Sequence, residues 1–291
     1  MTGVGDPSSA WEETEAGVLW APEARPADLA ESDVDLPLRG CFVTGTDTEV
    51  GKTAVSAGLL HALGAHGFRV AGYKPVAAGA VWCSAANGPG GHWHNEDVEA
   101  LHAASNIELT RGEVCPCLLE EACAPHLAAR LEGGRIEPRV LFAGARQLMP
   151  RCDALVVEGV GGFCVPLVEA DDAEDGPDAG GWGADDLACA LDLPVILVVG
   201  LRLGCINHGL LTAEAISARG LRLVGWIANR IEPSMNHAQD NIDTLTRALQ
   251  QRYGTPLLGV VDYLVPVTPA RVAERLDVEA VLDALGLGSG R

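Results

Sequence analysis

The sequence predicts an α/β fold: a mostly parallel sheet with helices on both faces. Three observations predict it. Short apolar runs alternate with amphipathic stretches of helical spacing, the pattern of repeated strand–helix units. The strongest runs are apolar throughout rather than alternating, as expected of strands covered on both sides. Aromatic residues make up only 4% of the chain while it holds 35 glycines, which suits close helix–strand contact better than a β-sandwich.

Taken in order, residues 1–38 are rich in Ala, Glu, Asp and Pro with no helical or strand period, and read as an acidic, poorly ordered extension. Trp11 and Trp20 within it are the residues that would dock if any part does. The predicted domain then runs over 39–291. Its strands are expected at 41–44, 69–73, 154–157, 194–199 and 223–228, with a weaker sixth at 257–260. Helical spacing follows at 52–66 and 207–219. Residues 169–183, EADDAEDGPDAGGWG, read as an acidic surface insertion.

At 291 residues the chain is one large domain or two small ones, with ample length for a core. Its net charge of −20 disfavours a nucleic-acid backbone or an anionic membrane as partner. Segments 1–40 and 169–186 carry −7 and −8 of that charge, leaving −5 on the other 233 residues. Nine cysteines with no framework spacing point to free thiols in a reducing compartment. With no leader-like segment and no apolar run of membrane-spanning length, the expected location is cytoplasmic. Cys115, Cys117 and Cys123, or His92, His94 and Cys83, lack ordinary zinc spacing and read as structural residues.

After the first strand comes Gly45-Thr46-Asp47-Thr48-Glu49-Val50-Gly51-Lys52-Thr53, followed by an apolar-periodic helix. This strand, glycine-bearing loop, Lys-Thr and helix form the layout of a P-loop. Glycines let the backbone curl so that its N–H groups face phosphate oxygens, and the helix N-terminus adds partial positive charge. Lys52 would reach the β/γ-phosphates and Thr53 would coordinate Mg²⁺. Five residues separate Gly45 from Gly51, where four is common, so Thr46 stands where a glycine is expected. A chance Gly-Lys-Thr at a helix start is the alternative, disfavoured by the strand before it.

Ligands of open parallel sheets sit at the carboxyl ends of the strands. The 154–157 strand ends in Glu158-Gly159-Val160-Gly161-Gly162, where a P-loop protein often holds a metal-side carboxylate; a turn glutamate is the alternative. The 69–73 strand ends in Lys74-Pro75-Val76, and Lys74 is either a solvated charge or a site residue on the same edge as Lys52. Asp97 reads from physics alone as a helix cap.

Together, the run from Thr44 to Thr53, then Ala71-Gly72-Tyr73-Lys74-Pro75-Val76, Val157-Glu158-Gly159-Val160-Gly161-Gly162, Leu203-Gly204-Cys205-Ile206-Asn207-His208 and Gly225-Trp226-Ile227-Ala228-Asn229 closely resemble the dethiobiotin synthetases. The resemblance runs from about residue 40 to about 265 and includes the five-residue loop spacing. It implies a P-loop NTPase-like fold and ATP-dependent closure of 7,8-diaminopelargonic acid with CO₂ to dethiobiotin, through a carbamate and a carbamic-phosphoric anhydride, releasing ADP and phosphate. It implies ATP and Mg²⁺, and a homodimer with the active site at the interface. Carried over by position, Lys52 holds the phosphates, and Thr53, Asp97 and Glu158 surround Mg²⁺. Thr48 and Lys74 face the carbamate. The backbone of Glu49, Val50, Gly51, Lys52, Thr53 and Ala54 cradles phosphates, and Glu158, Gly159, Val160 and Gly161 line the nucleotide side. Asn229 would recognise adenine. Ala78, Gly204, Cys205 and Asn207 are the substrate-side positions, the last three on a helix lent by the partner subunit.

Three departures stand out. The family's usual serine is Ala78 here, the usual adenine-side proline is Asp262, and extra residues around 88–94 precede Asp97 and put its alignment in question. A partitioning-type ATP switch is the competing class. Its loop usually carries a second lysine near the start, and Thr46 to Val50 has none. A related amide-forming synthetase of cobalamin synthesis would need a further glutaminase domain.

Overall fold

The computed structural model describes residues 19–20, 39–84, 91–169 and 181–288. Six strands form one sheet: β1 (Gly40–Gly45), β2 (Val70–Tyr73), β3 (Ala154–Glu158), β4 (Val195–Gly200), β5 (Leu223–Asn229) and β6 (Leu257–Val261). Their order is β6-β5-β4-β1-β3-β2, and every neighbouring pair is parallel. All six lie where the apolar runs place them, shifted at their ends by a residue or two.

Alternation along each strand sends side chains to two cores. Phe42, Leu155, Val157, Leu197 and Val199 face one; Cys41, Val43, Val156, Ile196 and Val198 face the other. Helix α1 (Lys52–Ala65) covers the second face with Val55, Leu59, Leu60 and Leu63. Helix α3 (Cys205–Ala218) covers the first with Ala213 and Ile216, beside Ile242 and Leu245 of the helix Ala238–Tyr253. Two covered faces explain why these strands read as unbroken apolar runs. Helix α2 (Glu96–Ala104) packs on α1, its first N–H groups capped by Asn95 Oδ1.

Strand order reverses at β1: the chain passes from β1 out to β2, returns to β3, and then builds β4 to β6 on the other side. Such a switch point opens a crevice at the carboxyl edge, where ligands bind.

Smaller sheets went unread in the sequence. Val76–Ala78 pairs in parallel with Cys117–Leu119, and Leu19–Trp20 adds antiparallel on the latter's other side. The expectation for 1–38 otherwise lies outside the described residues, and these two residues depart from it. The 80–94 stretch contains a strand pair, Val81–Ser84 with Gly91–His94, closed by edge-on stacking of Trp82 and Trp93 with centroids 5.4 Å apart. Of the acidic 169–183 loop, Glu169 pairs with Arg130 and Trp182–Gly183 pairs with Pro166–Val168; residues 170–180 lie outside the described ones. Among the described residues no helix is long and apolar enough to cross a membrane.

Candidate nucleotide and metal site

The loop between β1 and α1 turns on two left-handed residues, Glu49 with φ 60° and Gly51 with φ 87°. A side chain at Gly51 would also meet Asn229 Nδ2 at 2.0 Å, so Asn229 would have to give up its place against the loop. α1 begins with no acid in its first turn and no side-chain cap, which leaves its first N–H groups to an anion. Asp47 stiffens the loop: its Oδ1 accepts from Thr48 N–H at 2.8 Å and its other oxygen pairs with Arg202. These bonds, led by that from Thr48, hold the Asp47 carboxyl below its usual range. Lys52 Nζ donates to Asp47 O at 2.8 Å. Burial, together with repulsion from Lys74, lowers its pKa to about 8.

The sheet's register supplies the rest. Tyr73 lies opposite Val157, so the next residues, Lys74 and Glu158, come level at the carboxyl edge. Lys74 Nζ sits 2.5 Å from Glu158 Oε1 and 2.8 Å from Asp97 Oδ2, with Gly159 O at 3.4 Å. Thr53 Oγ1 lies 2.6 Å from Asp97 Oδ1 and 2.8 Å from Glu158 Oε1. Burial alone would push Lys74 down, but Glu158 and Asp97 outweigh it and raise its pKa. In the same way burial would raise Asp97, and Lys74 more than reverses it, holding the carboxyl below its usual range.

These oxygens fit a hard cation. The Thr53 hydroxyl has one proton and cannot donate to both carboxylates, so one short O···O contact is left without a hydrogen. Glu158 is fully buried, and its Oε2 has no hydrogen-bond partner in the described structure. Two carboxylates and a hydroxyl leave positions for phosphate and water, the mixed shell Mg²⁺ favours. Thr53, Asp97 and Glu158 are therefore the residues that would hold it. The extra strand pair before α2 does not displace Asp97, because Asn95 ties the start of α2 to the cleft wall by donating to Ala78 O at 3.2 Å.

A cleft of about 850 Å³ opens beside this cluster, walled by Thr48, Glu49, Gly51, Lys52, Thr53, Lys74, Ala78, Asp97, Glu158, Val160 and Gly161. Val50 is buried beneath the loop and Ala54 lies in the first turn of α1. Gly159 N–H donates to Val43 O at 2.9 Å, anchoring the turn after β3. Asn229, at the end of β5, is placed against the loop: its Nδ2 donates to Val50 O at 2.9 Å. Asp262 follows β6 and pairs with Arg275 at 2.8 Å.

Gly204, Cys205 and Asn207 do not line that cleft. Gly204, with φ 97°, caps α3; Cys205 is buried against Asn241; Asn207 is exposed. Cys115 donates its thiol to Cys117 O, and His126 lies 3.1 Å from Pro166 O through Nδ1 and 3.3 Å from Glu169 through Nε2.

The sequence reading missed the Asp47–Arg202 pair and the cleft wall formed by Ala122 to Pro125 with Val165. The first had a signal: Asp47 and Arg202 follow β1 and β4, which are direct neighbours.

With this geometry in place, comparison with known proteins adds the family. Residues 39–271 match the model of a family described as AAA domain. The chain belongs to that family. Within it, strand, loop, Lys52-Thr53 and helix form an ATPase-type P-loop. The solved structures it is similar to include the cell division ATPase MinD of Pyrococcus furiosus, 18% identical, covering 85% of this chain and 98% of that one, with a TM-score of 0.43. The septum site-determining protein MinD complexed with Mg-ADP from Pyrococcus horikoshii OT3 is 19% identical over 86% and 91% of the two chains, at 0.41. A ParA family ATPase from Chlorobium tepidum TLS is 11% identical over 84% and 93%, at 0.43.

Proposed function

We propose that this AAA-domain chain is a dethiobiotin synthase, a ligase that closes a cyclic urea from a vicinal diamine, CO₂ and ATP. One observation carries the reading: Lys74, 2% exposed, stands at the cleft beside the metal-fitting carboxylates and across from the phosphate loop. A switch of the competing class carries its second lysine within the phosphate loop, whereas Lys74 comes from the end of a neighbouring strand, on the side where an acceptor would lie. An enzyme that brings a carbamate up to a triphosphate needs a fixed cation there, because both are anions.

On this reading ATP lies on the backbone of residues 49–54 with Lys52 against its β/γ-phosphates, and Thr53, Asp97 and Glu158 hold Mg²⁺. Held there, Mg²⁺ would supply charge neutralisation for the transferring phosphoryl group. One amine of 7,8-diaminopelargonic acid adds to CO₂ and loses a proton, giving a carbamate, which Lys74 and Thr48 orient. A carbamate oxygen takes the γ-phosphoryl group as the bond to ADP breaks. The second amine then attacks the carbamate carbon, the C–O bond to phosphate breaks, the amine nitrogen gives up a proton to the departing phosphate, and the ring closes. Positioning and fixed charge are the protein's contribution, as in phosphoryl transfer generally. Ala78 offers no hydroxyl to the substrate, so its contact there is apolar.

Gly204, Cys205 and Asn207 do not line their own chain's cleft, which suits a homodimer in which the start of each α3 serves the partner's substrate. Exposed Leu203 and Leu211 flank that stretch and support such an interface. On this reading Asn229 would stand beside the base: its Nδ2 is committed to Val50 O, and its carbonyl would accept from a base amino group.

Phosphate release from Mg-ATP and bicarbonate, measured with and without the diamine, tests the proposal. Release that depends on the diamine supports it; slow release indifferent to the diamine would assign the loop to another acceptor or to a switch.

A further inference from the structure

The phosphate loop is held unevenly. Among the described residues no backbone hydrogen bond joins residues 47–50 to a neighbouring strand; the last before them runs from Thr46 N–H to Val198 O at 3.1 Å. The far end is anchored twice, by burial of Val50 and by Asn229 Nδ2 on Val50 O. The near end, Asp47 and Thr48, is exposed. Among the described residues its one hydrogen-bonded tether from outside the loop is Arg202, whose guanidinium donates to Asp47 Oδ2.

Several groups of the loop depend on Asp47. Its Oδ1 accepts from Thr48 N–H, and its backbone O accepts from Lys52 Nζ. The other charged groups bearing on it are Lys52 and, from α3, His208; neither hydrogen-bonds its carboxylate. Arg202 is itself firmly based. Leu201 N–H before it donates to Asn229 O at 2.8 Å, and its own backbone O accepts from Cys205 N–H at 3.0 Å in the turn that opens α3. With side chains 37% and 50% exposed, the Arg202–Asp47 pair adds little to folding stability. Its leverage is positional, because a misplacement of about 1 Å in a group that meets the reacting phosphate costs roughly 100-fold in rate.

We propose that Arg202 is a positioning residue for phosphoryl transfer: by holding Asp47 from the end of β4, it keeps Thr48 and the Lys52 ammonium in place at the γ-phosphate end of the loop. This rests on the Mg-nucleotide part of the proposed function and is indifferent to which acceptor follows.

The test uses full-length wild type, Arg202→Gln, Arg202→Lys, Asp47→Asn and the Arg202→Gln/Asp47→Asn double variant. Calorimetric titration gives the affinity of each for Mg-ADP and for Mg-AMP-PNP, which adds a γ-phosphate, and thermal melts report folding. Arg202→Gln is expected to weaken Mg-AMP-PNP at least about tenfold and Mg-ADP less than about threefold, with little change in melting. Arg202→Lys should recover most of the loss, and the double variant should lose no more than the worse single one, as for two residues acting through one contact. Equal weakening of both nucleotides, with or without a fall in melting temperature, would make the pair a general anchor and overturn the inference. Losses that multiply in the double variant would overturn it too. Wild type binding neither nucleotide would overturn the nucleotide reading and the inference with it. Nucleotide binding as expected, but no diamine-dependent phosphate release in wild type, would remove the ligase reading and leave Arg202 its role.

Discussion

α1 and α3 begin alike and end up differently. Each has 14 residues, follows a buried parallel strand of the same sheet, and starts on a left-handed glycine with no side-chain cap, Gly51 at φ 87° and Gly204 at φ 97°. At α1 the N-terminus is enclosed: Lys74 and Glu158, at the ends of β2 and β3, and Asp97 of α2 converge on its own Lys52 and Thr53. At α3 the same kind of terminus faces outward, with Leu203 96% exposed. The difference teaches that local sequence builds both helix starts, whereas a chemical site requires side chains delivered by neighbouring strands. The proposed phosphate and metal half draws all its side chains from one chain, whereas on the proposed reading the α3 end serves a site only across a dimer interface.

The sharpest way to break that contrast is to remove the cations of the enclosed end. Lys52→Ala is expected to lower turnover by about 100- to 1000-fold, chiefly through the nucleotide. Lys74→Ala should cost as much in diamine-dependent phosphate release while nucleotide still binds. Near-normal turnover in Lys74→Ala, by a phosphate-release assay, would remove its assigned role.

Next in size is the outward-facing end. Leu211→Asp should convert a dimer to a monomer in sedimentation and raise the KM for the diamine at least about tenfold, leaving ADP binding unchanged. A monomeric wild type with full activity would contradict the shared site.

A pH profile sharpens the enclosed half further. The Lys52 pKa is lowered to about 8, so its charge is present below that pH and fades as pH rises through it. kcat/KM for nucleotide is therefore expected to fall above about pH 8, approaching tenfold per pH unit. Lys52→Arg, charged throughout, should flatten the decline even if its absolute activity is low. A wild-type profile flat to pH 10 would show that burial does not act on this lysine as described.

The smallest effects separate the two glycines. Alanine at Gly204 bears the left-handed cost alone, about 1 kcal/mol, since its nearest neighbour would be His208 at 3.7 Å. Alanine at Gly51 meets Asn229 Nδ2 at 2.0 Å as well, so it should lose more stability in denaturant melts and release the Asn229 bond to Val50. Equal losses would mean that the loop shifts freely.

The same contrast explains what was legible in the sequence. The six sheet strands were, because burial on both faces makes them continuous apolar runs bounded by polar residues. Lys52 and Thr53 were legible from spacing within one segment. Asp97 read by itself only as a helix cap; that it stands 2.6 Å from Thr53, 44 residues earlier, is a property of how α2 packs on α1. Lys74 and Glu158 were recognisable as strand-end residues, but their mutual contact needed the register of β2 against β3. The Val81–Ser84 and Gly91–His94 pair escaped because it is short and half exposed, with no buried face to impose a period. Arg202 escaped because its partner lies 155 positions away.

The most direct measurement supplies ¹³C-bicarbonate, Mg-ATP and 7,8-diaminopelargonic acid to the full-length protein and follows the product by mass. The account predicts a cyclic urea carrying one ¹³C, formed in step with one ADP and one phosphate. ATP turnover with no label entering the diamine would contradict it.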